Sequence, residues 1–200
     1  MVVVRQLRVG PMANFAYLVL DEKTREAAVV DSGWETGPIT GAAADAGAKV
    51  RYAIATHHHP DHTATLRELA EATGAEVLAH EDSPLDCDRR LRDSQMLKLG
   101  STTLKIMHTP GHTRDGISIY DGMSVFTGDT LFVGAIGRFE REEGEPMFRS
   151  LSTIMSLPGS TALYPGHDYG DVAHRTLKEE RQANPFLMAR DLRSFLSLFA

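Results

Sequence analysis

Thr56-His57-His58-His59-Pro60-Asp61-His62 packs four metal-capable side chains into seven residues, in the order H-x-H-x-D-H. His57 and His59 stand two apart, so in an extended segment both imidazoles project to the same side. Pro60 then bends the chain, which lets Asp61 and His62 address a second ion. The segment before it, Tyr52-Ala53-Ile54-Ala55, reads as a short apolar strand. After it, Leu66, Leu69, Ala70 and Thr73 recur at helical spacing until Gly74 stops the helix. The cluster therefore occupies a strand-to-helix loop, a place where α/β proteins commonly hold ligands. A merely histidine-rich polar loop or a purification tag would not continue into Asp61 and His62 from an internal position.

Three further candidates follow singly. His112 lies in Thr109-Pro110-Gly111-His112-Thr113, where Pro110 and Gly111 shape a tight turn that exposes the imidazole. Asp129 ends Phe126-Thr127-Gly128-Asp129, a carboxylate emerging from an apolar strand; a nearby cation would offset the cost of burying it. His167 repeats the Pro-Gly-His arrangement after the strand Ala162-Leu163-Tyr164. Taken alone, His112 fits a core position and Asp129 a turn or cap equally well; the first cluster is what favours metal. Imidazoles with carboxylates suit Zn²⁺, Fe²⁺, Mn²⁺ and similar cations, and the one thiol, Cys87, lies outside these motifs. Two metals side by side activate water, so the expected chemistry is metal-assisted and its substrate small and polar.

Around these motifs the chain alternates strands and helices. Met1 to Arg5 resembles a first strand, Phe15 to Leu20 a second, and Ala27 to Val30 its hairpin partner across the polar connection Asp21 to Glu26. Residues 37 to 46 predict a helix, with Pro38 near its start and Gly47 as its stop. Glu76 to Ala79 reads as the next strand, and Glu81 to Gln95 as a charged surface loop. Strands are then expected at Met96 to Leu99, Thr103 to Met107, Ile117 to Tyr120 and Met123 to Thr127, with Asp121-Gly122 as a two-residue hairpin turn. Phe148, Leu151 and Met155 mark a helix; two more helical stretches flank Asn184-Pro185, the second with Leu192, Phe195, Leu196 and Phe199 on one packing stripe. The expected architecture is α/β in one domain over residues 1–200: two sheets face to face with helices outside.

The bulk numbers narrow the partners. At 200 residues there is room for one well-buried core, and 42% hydrophobic with 24% charged residues is ordinary for a soluble globular protein. A net charge of -6 without a strong basic cluster argues against nucleic acid or an anionic membrane as the main partner. No apolar run approaches a membrane span, and the start lacks the layout of a secretion signal. A single cysteine fits a reducing compartment, so the expected location is cytoplasmic.

The combination of His57-x-His59-x-Asp61-His62, His112, Asp129 and His167 resembles the metallo-β-lactamase superfamily over nearly the whole chain, and all seven ligand positions match. The resemblance implies an αβ/βα four-layer sandwich of two mixed sheets. It implies one metal on His57, His59 and His112, another on Asp61, His62 and His167, with Asp129 bridging them. It also implies that Asp31 supports the site from behind, and it leaves His58, His80, His108 and His174 as structural or surface groups. Gly128-Asp129-Thr130-Leu131-Phe132, Gly137-Arg138-Phe139, His167-Asp168-Tyr169 and Asn184-Pro185-Phe186-Leu187 look like the glyoxalase II branch, hydrolases of acylglutathione thioesters.

Arg138 stands where that branch usually has lysine, and Glu140 replaces an aromatic residue that helps hold glutathione. The long C-terminal helical region of the full-length enzymes is missing from this sequence, which is similar to the short members. The implied activity is hydrolysis of a thioester or related acyl ester by a metal-bridging hydroxide. Asp61 and Asp129 would be catalytic, Arg138 and Tyr169 would bind substrate, and two divalent ions, Zn²⁺ and/or Fe²⁺ with Mn²⁺ possible, would be the cofactors. Persulfide dioxygenases share the fold and are similar in sequence; that resemblance implies instead a single iron on His57, His112 and Asp129. Arg138 and Glu179-Glu180-Arg181 with Asn184-Pro185 fit them as well, whereas Phe139 stands where they usually carry a small polar residue.

Overall fold

Residue alternation in the strands builds two sheets that share one core. In the computed structural model, which describes residues 1–199, strands β1 (Val2–Val9), β2 (Asn14–Asp21), β3 (Glu26–Val30), β4 (Lys49–Ile54), β5 (Glu76–His80) and β6 (Arg89–Leu91) form the first sheet in that order. The first three are antiparallel and β3 to β6 run parallel. The second sheet, ordered β12-β11-β10-β9-β8-β7, contains β7 (Met96–Leu99), β8 (Thr102–His108), β9 (Ile117–Tyr120), β10 (Ser124–Gly128), β11 (Ala162–Pro165) and β12 (Arg175–Thr176). Here only β10 and β11 are parallel.

Strand β2 shows why the layers stack as they do. Phe15, Tyr17 and Val19 face the second sheet and meet Leu104, Ile106, Ile117, Ile119 and Phe126. Ala16, Leu18 and Leu20 face the other way, onto helices α1 (Gly37–Asp45) and α3 (Leu66–Thr73), through Ile39, Ala43, Leu66 and Leu69. Outside the second sheet, Val125 and Leu163 are covered by α4 (Gly144–Met155), α5 (Leu177–Ala183) and α6 (Leu192–Leu196). Helix, sheet, sheet, helix is the expected αβ/βα sandwich, and each fully buried Leu, Ile or Phe side chain adds about 1.5–3 kcal/mol to it. The one-turn helix α2 (Pro60–Thr63) sits between β4 and α3.

Two local expectations are corrected. The stretch Glu81 to Gln95 is not loop throughout: Arg89–Leu91 adds an edge strand beside β5, and Leu91 is fully buried between the sheets. Three residues alternate too briefly to show a period. The β9–β10 connection is not a two-residue turn, because Tyr120 pairs with Val125 and the three residues 121–123 separate the strands. The Asp121 carboxylate accepts hydrogen bonds from the Met123 and Ser124 amides, stabilising the wider turn. No helix among the described residues is long and apolar enough to cross a membrane.

Candidate metal centre

All the metal-capable loops leave the C-terminal ends of strands: residues 55–62 after β4, Pro110-Gly111-His112 after β8, Asp129 after β10 and Gly166-His167 after β11. The two sheets are tied together at this edge. The Phe15 amide of β2 donates to the Gly166 carbonyl at 2.8 Å, and the Gly166 amide donates to Gly128 at 2.8 Å. Gly166 itself is forced by crowding: any Cβ there would overlap the Asp129 carboxylate and stand 2.8 Å from the His62 ring.

Four of the five imidazoles are aimed by the outer nitrogen. His62 Nδ1 donates to Asp31 Oδ2 at 2.9 Å, His112 Nδ1 to the Arg138 carbonyl at 2.8 Å, and His167 Nδ1 to the Met12 carbonyl at 3.0 Å. His57 Nδ1 donates to Thr56 Oγ1 at 3.1 Å, whose own proton goes to Asp31 Oδ2 at 2.8 Å. These bonds fix the tautomers and leave Nε2 of all four rings as the inward nitrogen.

The inward atoms converge in two groups. His59 Nδ1 lies 3.1 Å from both His57 Nε2 and His112 Nε2. His62 Nε2 and His167 Nε2 are 3.2 Å apart, with Asp61 Oδ2 at 3.5 Å from the first and 3.3 Å from the second. Asp129 reaches both groups: Oδ1 is 3.2 Å from His62 Nε2, and Oδ2 is 3.4 Å from His167 Nε2 and 3.6 Å from His112 Nε2. His57, His62 and His167 are buried, while His59, His112, Asp61 and Asp129 are half-buried at the mouth.

The donor set fits divalent metal. Lone pairs aimed at one another repel unless a cation stands between them, and tetrahedral ligands 2.0–2.1 Å from zinc are roughly 3.3 Å apart. Among the described residues the buried Oδ1 of Asp129 has His62 Nε2 close by at 3.2 Å but accepts no well-aligned hydrogen bond, as expected of an oxygen shaped for a cation. The electrostatics differ between the groups. Burial, helped by neighbouring imidazoles, holds His57 well below the ordinary histidine range, and His59 is lowered for the same reasons. Burial also acts to lower His62, but Asp31 and Asp129 override it and hold that imidazole well above its usual value; Asp129 does the same for His167. Burial would raise the Asp129 carboxyl, yet His167 and His62 keep it well below the usual range.

Asp31 lies behind the site as expected, at φ 57°, a left-handed conformation that aspartate tolerates better than most residues. It accepts from the Thr56 amide and hydroxyl, each at 2.8 Å, and from His62. Arg138 is exposed and Tyr169 is 56% exposed, its ring stacked on His167 with centroids 4.6 Å apart. Among the other histidines, His58 pairs with buried Asp115 at 2.8 Å, His80 is buried and stacked on His108, and His174 stacks on Tyr164.

One contributor escaped the sequence reading. Asn14, buried at the head of β2, donates from Nδ2 to Asp61 Oδ2 at 3.0 Å. Its only signal was a polar residue opening an otherwise apolar strand.

The comparisons with known proteins agree with this geometry. The sequence matches the metallo-beta-lactamase superfamily over residues 9–98 and 81–182. A hydroxyacylglutathione hydrolase of Cereibacter sphaeroides is 35% identical over 184 residues, covering 88% of this chain and 71% of the relative. One from Rhodopseudomonas palustris is 34% identical over 183 residues, with 88% and 71% covered. Among solved structures, ETHE1 from Myxococcus xanthus superposes with a TM-score of 0.91 at 30% identity, covering 98% of this chain and 89% of that one. TTHA1623, solved in a di-iron-bound form, gives a TM-score of 0.77 at 28% identity, with 92% and 100% covered. Fold and site together define a metal-dependent hydrolase on an αβ/βα sandwich. The chain belongs to the metallo-beta-lactamase superfamily.

Proposed function

We propose that this protein hydrolyses an acyl thioester of the hydroxyacylglutathione type, or a related acyl ester, with two divalent ions, Zn²⁺ and/or Fe²⁺ or Mn²⁺. The observation that carries the reading is the convergence of seven inward-facing ligand side chains from four separate loops. His57, His59 and His112 would hold one ion, Asp61, His62 and His167 the other, and Asp129 would touch both. When bound, such ions supply Lewis acidity and lower the pKa of coordinated water toward ~7.

The chain's own groups do the rest. Asp61, steadied by Asn14, would orient the attacking hydroxide towards the acyl carbon as well as ligate. Among the described residues Arg138 makes no ion pair, and it stands ready for an anionic part of the substrate, while the exposed ring of Tyr169 offers an apolar wall. A thiolate leaves without protonation, so no separate general acid is required. The hydrolase relatives, which this chain matches over 71% of their length, support the thioester class. The substrate is a small molecule, with neither nucleic acid nor membrane as partner, and the location is the cytoplasm.

Metal-loaded protein assayed against a panel of acyl thioesters, esters and lactones should cleave at least one thioester. Inactivity across the whole panel would overturn the reading. The one-iron dioxygenase is the competing reading. In this geometry His59 joins His57 and His112 as an equal third nitrogen, where that reading needs only two. Oxygen consumption with glutathione persulfide at one iron per chain would favour it instead.

A further inference from the structure

Glu180 and Asn184 are both fully buried, although neither reaches the metal-capable groups. A carboxylate and an amide in such a place are costly to bury unless their polar atoms are partnered, so their partners show what they hold. Glu180 Oε1 accepts from the Gly134 amide at 2.8 Å and from Asn184 Nδ2 at 2.7 Å, while Oε2 has no hydrogen-bond donor among the described residues and pairs with the Arg175 charge, Nε at 3.6 Å. Asn184 Nδ2 also donates to the Ala135 carbonyl at 3.0 Å, and its Oδ1 accepts from the Phe186 amide at 3.0 Å. The turn Gly134-Ala135, with Gly134 at φ 76°, is thus gripped by amide and carbonyl at once.

From that grip the chain returns to the metal centre. The Phe132 amide bonds to the Ala135 carbonyl at 3.0 Å, and Leu131 pairs with Ile136. Gly137 then lies so close to the Asp129 backbone that any Cβ would overlap its carbonyl oxygen. The next residue, Arg138, is exposed and gives its carbonyl to His112 Nδ1.

We infer that Glu180 and Asn184 are positioning residues, which clamp the 134–135 turn and through it hold the Arg138 carbonyl that fixes the tautomer of His112. The inference rests on the reading that His112 holds metal. The clamp acts most directly on this group, because His62 and His167 donate their outer hydrogen bonds to Asp31 and to the Met12 carbonyl. Loss of an outer hydrogen-bond partner typically weakens metal affinity about 10–100-fold.

The test uses the full chain with Zn²⁺, reading the affinity of each group by calorimetric titration and its occupancy by anomalous diffraction. Asn184→Ala should weaken the His57/His59/His112 group about 10–100-fold and the Asp61/His62/His167 group far less. Glu180→Gln keeps an acceptor oxygen for Gly134 and Asn184, and should retain wild-type affinity at both. Equal weakening of both groups, or unaltered affinity in folded Asn184→Ala, overturns the inference. Should Asn184→Ala not fold, exchange of the Gly134 amide in the wild-type protein decides: protection like that of the core strands supports the clamp, and rapid exchange refutes it. Neither readout involves substrate, so a failure to hydrolyse thioesters would count against the proposed activity alone.

Discussion

His62 and His57 lie in the same heptapeptide and are both buried, yet their surroundings drive them in opposite directions. His57 is held low, so it is already unprotonated at neutral pH and ready to ligate. His62 and His167 are held high by carboxylates and must shed protons before a metal can bind. The sign follows directly: affinity at the Asp61/His62/His167 group should rise with pH as His62 and His167 lose their protons, while His57 and His59, held low, offer free lone pairs at lower pH. Calorimetry of Zn²⁺ binding in buffers of different ionisation enthalpy should find proton release mainly from the former group. Equal release from both would contradict this reading.

Asp31 acts at the same scale. Asp31→Ala would strip three donors of their acceptor and should lower metal affinity about 10–100-fold, measured by competition with a chromophoric chelator. Wild-type affinity in that variant would show that Asp31 is dispensable.

At the scale of elements, what was legible is what repeats. The buried strands β2, β4 and β10 and the amphipathic helix α3 carry enough alternation or helical spacing to declare themselves, as do the histidines that follow β4. Elements held only by tertiary contacts did not. Strand β6 exists because Leu91 finds a slot between the sheets, and β12 is two residues long. Asn14 and the carbonyls of Met12 and Arg138 act through hydrogen bonds that no spacing encodes. The strand-end turns set the ligand geometry, so Gly166→Ala should displace Asp129 and His62 without touching the helix layers. Elemental analysis should then find metal content reduced in a protein with native circular dichroism. Full metal content would mean that the turn has room the packing denies.

For the whole molecule, the inter-sheet core and the metal edge carry separate tasks. Phe126 is fully buried between the sheets, against Tyr17 and Tyr164. Phe126→Ala should cost about 3–5 kcal/mol in denaturant unfolding, while the folded fraction keeps its metal. A negligible cost would place the core elsewhere. The fold class was readable because alternation and length leave few ways to bury two sheets and their helices. The pairing of ligands into two groups was not readable from spacing alone, since it depends on how the C-terminal ends of β4, β8, β10 and β11 meet in space.

The most direct test is anomalous diffraction at the zinc edge from crystals of the Zn²⁺-loaded protein. Two peaks per chain are predicted, one among His57, His59 and His112 and one among Asp61, His62 and His167, with the Asp129 carboxylate touching both. A single peak, or zinc bound away from these seven residues, would contradict the dinuclear centre and the hydrolytic chemistry built on it.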